Sequence, residues 1–151
     1  MPRIERTAET HWEGNLARGA GTLTAGSSGA FAGLAFTNAS RIGNPDGKTS
    51  PEELLAAAHA ACFTTSLAGE LTRLGRPPGQ LEVSCRIIMD EVGGQGHQIV
   101  GSQVSATVSA EGLDSSTLAE ATRLADEGCP FSALLKRAGA DVEIETTIGR
   151  A

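Results

Sequence analysis

Between Ser50 and Leu74 the polarity of the chain changes character. Two carboxylates, Glu52 and Glu53, lead into a run from Leu54 to Leu67 in which nearly every position is apolar or small. Ser50 and Glu53 stand at capping-box spacing with Pro51 at the first helical position, which predicts a helix from Pro51 to about Leu74, where GRPPGQ stops it. With no polar face along that run, the helix reads as buried on all sides. A single small domain rarely encloses a helix completely, so the pattern points to a partner subunit. Before this helix, ETHWEG, GTLTAG and GAFAGLAFTNA are short β-like runs bounded by glycines, and they predict a small antiparallel sheet or meander. IGNPDGKTS reads as a turn cluster in a mobile loop.

After the helix the period changes to two. LEVSCRIIMDEV places Val83, Cys85, Ile87 and Met89 on one face of a strand, and QIVGSQVSATVSAE follows as another after the loop GGQGH. A second helix opens near Asp114 and ends at Gly128, expected as a left-handed stop. PFSALLKRAG gives a short third helix and DVEIETTI a last strand. Strands flanking clustered helices predict an α+β fold in a single domain spanning residues 1–151.

Composition narrows what such a domain does. Length over about 150 residues is the usual prior for one domain, and a chain of this size buries roughly 68–70% of its unfolded surface. With one Trp, four Phe and no Tyr, the core must be built from Ala, Leu, Ile and Val. A formal net charge of −6 and the lack of any basic run argue against nucleic acid and against a membrane surface. No stretch reaches the roughly 18 consecutive apolar residues of a spanning helix. The charged opening MPRIERTAETHWEG is unlike a signal segment, so a cytoplasmic location is expected. Cys62, Cys85 and Cys129 are odd in number and lack CxxC spacing, which makes a poor disulfide scaffold and a poor zinc site; no metal is expected.

In a reducing compartment such cysteines are inert core residues or redox thiols. Cys62 lies mid-helix in apolar surroundings, where burial raises a thiol pKa, so a reactive Cys62 needs a cation from elsewhere in the fold. Arg18 and Arg41 are the candidates, each otherwise a solvated surface charge, and His59, three residues before Cys62 on the same helical face, is a third, although a histidine there is more often a packed or hydrogen-bonded core residue. Glu52 precedes Cys62 by ten residues, about 15 Å along a helix axis, so it would join a Cys62 site only from an antiparallel second copy. By local rules Cys129, at a helix start, is the better-activated thiol, although Pro130 removes one amide donor. Cys85 alternates with apolar neighbours and reads as core.

PEELLAAAHAACF, the later GCPFS and the N-terminal HWEGNLARGAGT together resemble the family of osmotically inducible protein C (OsmC) and organic hydroperoxide resistance protein (Ohr). The likeness runs from about His11 to Lys136. His59 and the GCP at Gly128 to Pro130 favour the OsmC branch. The resemblance implies an intertwined homodimer with long central helices, and a thiol peroxidase that reduces organic hydroperoxides without metal or cofactor. It implies Cys62 as peroxidatic thiol, Cys129 as resolving thiol, and Glu52 as the carboxylate that orients an arginine. Arg41 is preferred for that arginine, with Arg18 as the alternative. Phe36, Phe63 and Phe131, which fit a core equally well, and His59 are candidate substrate contacts. The implied reductant is an external dithiol of the dihydrolipoyl-protein kind. Two other functions fit the residues less fully: a Cys62–His59 acyl-transfer hydrolase, and a thiol redox sensor or small-ligand binding module that does not turn over.

Overall fold

The computed structural model of the protein describes residues 2–149. The chain forms two compact units, Met1–Leu54 and Leu55–Ala151. In the first, β1 (Ala8–Glu13), β2 (Ala20–Ala25) and β3 (Leu34–Phe36) make an antiparallel sheet in that order. Its register sets Trp12 opposite Gly21 and Gly21 opposite Phe36. A Cβ on Gly21 would lie 2.5 Å from the Phe36 ring and 2.8 Å from the Trp12 ring, so glycine at that point lets the two aromatics close over the strand. Their centroids are 5.5 Å apart.

A five-residue helix, α1 (Asn38–Ile42), follows where the hydrophobic pattern predicts no helix. Thr37 and Ser40 make it by a reciprocal cap: Ser40 N donates to Thr37 Oγ1 at 3.0 Å and Thr37 N to Ser40 Oγ at 3.0 Å. The expected turn cluster follows, with Asp46 at a φ of 48°.

Helix α2 (Pro51–Arg73) begins where the capping signal places it. Glu53 N donates to Ser50 Oγ at 3.1 Å, while the Glu53 carboxylate accepts from Thr49 Oγ1 at 2.8 Å. By length and composition α2 could span a bilayer, but its buried stripe packs on protein. Burial on all sides is not what the chain shows. His59, Phe63, Leu67 and Leu71 are buried at a spacing of four residues, whereas Ala57, Ala61, Thr65 and Gly69 form an exposed stripe. A sheet covers one side of a helix, and the sequence pattern cannot say what covers the other.

The second sheet runs β4 (Gln80–Val92), β5 (Gly96–Ser109), β6 (Asp141–Ile148), with β4–β5 antiparallel and β5–β6 parallel. Pairing slips between Ile88 and Met89, where Val100 is passed over. The inward row of β5, Val104, Ala106 and Val108, meets Phe63, Leu67 and Leu71 of α2 and Leu118, Ala121 and Ala125 of α3 (Ser115–Gly128) in one core. Asp114 caps α3 by accepting from Thr117 N at 2.8 Å. Gly128 does not form the expected left-handed stop; it ends α3 without a positive φ. The break comes one residue later, at Cys129 (φ −82°, ψ 112°), because a residue before proline is driven out of helical geometry. Pro130 then opens α4 (Pro130–Arg137).

Candidate active site

Each unit brings together part of what the sequence singles out. In the first, Arg41 on α1 and Glu52 in the first turn of α2 form a fork. Arg41 Nε donates to Glu52 Oε1 at 3.0 Å and to Oε2 at 3.1 Å, and Nη2 donates to Oε1. The guanidinium bond holds the Glu52 carboxyl below its usual range, against a smaller opposing effect of burial. The same bond raises Arg41, so both groups are charged at neutral pH. The fork is formed within one chain. Arg41 also edges a small cleft of about 90 Å³ with Trp12, Leu16, Phe36, Thr37, Asn38 and Pro51. Trp12, not singled out from sequence, is fixed there by its Nε1 donating to Gly14 O at 2.8 Å. Arg18 sits on an exposed turn, its backbone N donating to Asn15 Oδ1 at 3.0 Å.

In the second unit Cys62 packs against the core that contains Cys129, and Cys129 and the Phe131 backbone are near enough to act on the Cys62 thiol. All three cysteines are free. Cys129 is fully buried, Cys62 half-buried. The start of α4, which local rules credited to Cys129, also acts on Cys62 through the Phe131 backbone. Burial first, and then Cys129, pushes the Cys62 thiol up; the Phe131 backbone pulls it down.

Two candidate substrate contacts have no surface to offer. Phe63 is wholly buried in the core and fills the space between α2 and the sheet. His59 is also wholly buried, with Nδ1 2.8 Å from Ser102 Oγ and Nε2 2.9 Å from Ser132 Oγ. Burial holds its ring below the usual histidine range; Asp126 opposes this and Lys136 adds to it. Both nitrogens are engaged by serines, so His59 is not set up as a general base for Cys62. Phe131 is partly buried against the core and Phe36 lines the small cleft. Cys85, expected as core, is half-buried, its sulfur 3.3 Å from Ser102 Oγ and 3.9 Å from His59 Nδ1.

The profile of the OsmC-like protein family matches residues 43–145, a span holding Glu52, Cys62 and Cys129. The chain belongs to the OsmC-like family. It is 34% identical to Peroxiredoxin OsmC of Escherichia coli over 133 residues, 88% of this chain and 91% of that protein. In fold it is similar to an organic hydroperoxide resistance protein of Elizabethkingia anophelis, with a TM-score of 0.75 at 18% identity over 99% of this chain and 100% of that one. OhrB of Bacillus subtilis gives a TM-score of 0.67 at 24% identity over 93% and 98%. Among the described residues of this OsmC-like chain, no group of three or more His, Cys, Asp or Glu is placed to hold a metal ion.

Sequence reasoning missed Ser102 and Ser132. A signal was available. The inward row of β5 runs Ser102, Val104, Ala106, Val108, and the buried stripe of α2 runs His59, Phe63, Leu67, Leu71. Each apolar row begins with one polar residue, and the two polar residues meet.

Proposed function

We propose that this chain is a thiol peroxidase that reduces organic hydroperoxides to alcohols, with Cys62 as the attacking thiol and Cys129 as the resolving one. Family membership and the identity with Peroxiredoxin OsmC support a peroxidase role. The observation that carries the finer reading is that Cys62 packs against the core that holds Cys129, with Cys129 and the Phe131 backbone both acting on its thiol.

The Cys62 thiolate attacks the distal peroxide oxygen and the O–O bond breaks. The alkoxide leaves, gains a proton and departs as the alcohol, and Cys62 becomes a sulfenic acid. The Cys129 sulfur attacks the Cys62 sulfur, and the sulfenic oxygen leaves as water with the Cys129 proton. An external dithiol, of the dihydrolipoyl-protein class, then supplies two electrons and two protons to restore both thiols. No step calls on a metal or a bound cofactor.

The first step needs a cation, because burial pushes the Cys62 thiol up. Lowering a thiol pKa by two units takes about 2.7 kcal/mol, and one guanidinium at about 4 Å supplies about 4 kcal/mol at an effective dielectric near 20 before desolvation. Arg41, already held by Glu52, suits the role better than Arg18 on its exposed turn. Glu52 and Cys62 stand ten residues apart on one helix, about 15 Å along its axis, so in this reading the pair reaches a Cys62 across an interface between two copies. The aromatic and aliphatic wall of the Arg41 cleft suits an alkyl or aryl peroxide.

The test is single-turnover oxidation of the reduced protein with one equivalent of cumene hydroperoxide, free thiols being counted by mass. Two thiols should be lost in the unmodified chain; Cys62→Ser should be inert and Cys129→Ser should stop at a sulfenate. A Cys62→Ser protein that reacts at the unmodified rate would overturn the assignment. Steady-state peroxide consumption with a dithiol excludes a sensor that does not turn over.

A further inference from the structure

We infer that His59 is a positioning residue for the Cys62–Cys129 pair, acting through Ser132. The inference rests on the thiol chemistry proposed above and names the device that holds its two sulfurs in register. His59 lies three residues before Cys62 on α2, one turn away on the same face. Ser132 lies three residues after Cys129, in the first turn of α4. The Nε2–Ser132 bond at 2.9 Å is therefore a cross-tie between the helix that carries Cys62 and the helix start that carries Cys129 and the Phe131 amide. On its other side the ring is anchored to the sheet by Ser102 at 2.8 Å.

The local backbone explains why such a tie is needed. Cys129 is the link between α3 and α4, extended, with no side-chain hydrogen bond capping α4. Its own main-chain bonds, Cys129 N to Asp126 O at 3.3 Å and Ala133 N to Cys129 O at 3.1 Å, fix it along the chain but not against α2. The Lys136–Asp126 ion pair, 2.5 Å long, likewise joins α4 to α3. His59 reaches from α2 to the first turn of α4. All three tie residues, His59, Ser102 and Ser132, are fully buried. A neutral imidazole has one donor and one acceptor nitrogen, and a serine hydroxyl can serve either, so the ring is satisfied without charge.

The test separates the tie from simple stability. The reduced protein is equilibrated with oxidised and reduced glutathione, which exchange two electrons with the pair: two protein thiols and one glutathione disulfide give one protein disulfide and two glutathiones. Ser132→Ala cuts the tie and should lower the equilibrium constant for Cys62–Cys129 disulfide formation about tenfold, roughly 30 mV for a two-electron couple. Ser102→Ala leaves the Nε2 bond in place, with the Cys85 sulfur already 3.9 Å from Nδ1. It should cost comparable unfolding stability and move the constant less than threefold. His59→Gln places an amide near the Nε2 position and should keep most of the constant, whereas His59→Asn, whose amide falls near Nδ1, should not. With cumene hydroperoxide, Ser132→Ala should accumulate sulfenate while first-thiol loss slows less than threefold. Equal constants for Ser132→Ala and the unmodified chain would overturn the inference, as would equal losses from the two serine variants. If peroxide fails to oxidise the unmodified chain, the peroxidase reading falls and the glutathione equilibrium still decides the tie.

Discussion

Helix α2 carries two polar clusters that solve the same problem in opposite ways. At its start, Glu52 is half-buried and fully charged, matched by the Arg41 fork at a surface that water still reaches. Seven residues on, His59 is sealed from water and neutral, held by two serine hydroxyls. A charge is kept where solvent shares the work of stabilising it, and a dipolar network where solvent is excluded. Removing one member should therefore be cheap at the first cluster and costly at the second.

The largest expected effect is at the buried cluster. His59→Leu leaves the Ser132 hydroxyl without its imidazole partner, at about 1–3 kcal/mol, and leaves Ser102 only the Cys85 sulfur. Arg41→Ala should cost less than about 1 kcal/mol, as half-exposed ion pairs do. Urea denaturation of both variants would break the comparison if the two losses were equal. Acidity should separate the clusters next. The folded pKa of His59 is depressed, so its contribution to stability is complete above the unfolded value near 6.5 and is lost as pH falls below it. Glu52 is depressed from near 4.5, so its contribution persists until pH falls below that. Denaturation at pH 7 and pH 5.5 should show a loss in the unmodified chain that His59→Gln reduces and Glu52→Gln does not. A third, smaller difference should appear with salt. The coupling between Arg41 and Glu52 in a double-mutant cycle, about 0.5 kcal/mol at low salt, should fade in 1 M NaCl, where the Debye length is about 3 Å. The His59–Ser132 coupling should not. Gly128→Ala is the smallest test: a Cβ there meets nothing within 4 Å, so a gain of about 0.5 kcal/mol is expected if the residue is helical, and a loss if it is the left-handed stop first expected.

Most of the fold was legible because its signals are local. The capping residues before α2 and the period-two rows of β4 and β5 need no partner to be read. What escaped depended on contacts far along the chain or on segments too short to show a period. The five residues of α1 hold barely one helical turn, and only the Thr37–Ser40 spacing hints at it. Gly128 suggested the wrong stop because Pro130, two residues later, had already settled where α3 must end. In the candidate site, the two cysteines and the Arg41–Glu52 pair were visible through motif resemblance. The helix start at Pro130 was credited to Cys129 alone, because sequence distance does not show that its backbone also acts on Cys62. Ser102 and Ser132 looked like ordinary polar residues until His59, 43 and 73 positions away, was found between them.

The pairing of Trp12 with Phe36 has a practical consequence. With one tryptophan and no tyrosine in the chain, intrinsic fluorescence arises almost wholly from one indole, and that indole lines the cleft beside Arg41. Its emission is a built-in optical probe of the first unit. A molecule entering the cleft, or an acid titration that frees Arg41 from Glu52, should change the signal.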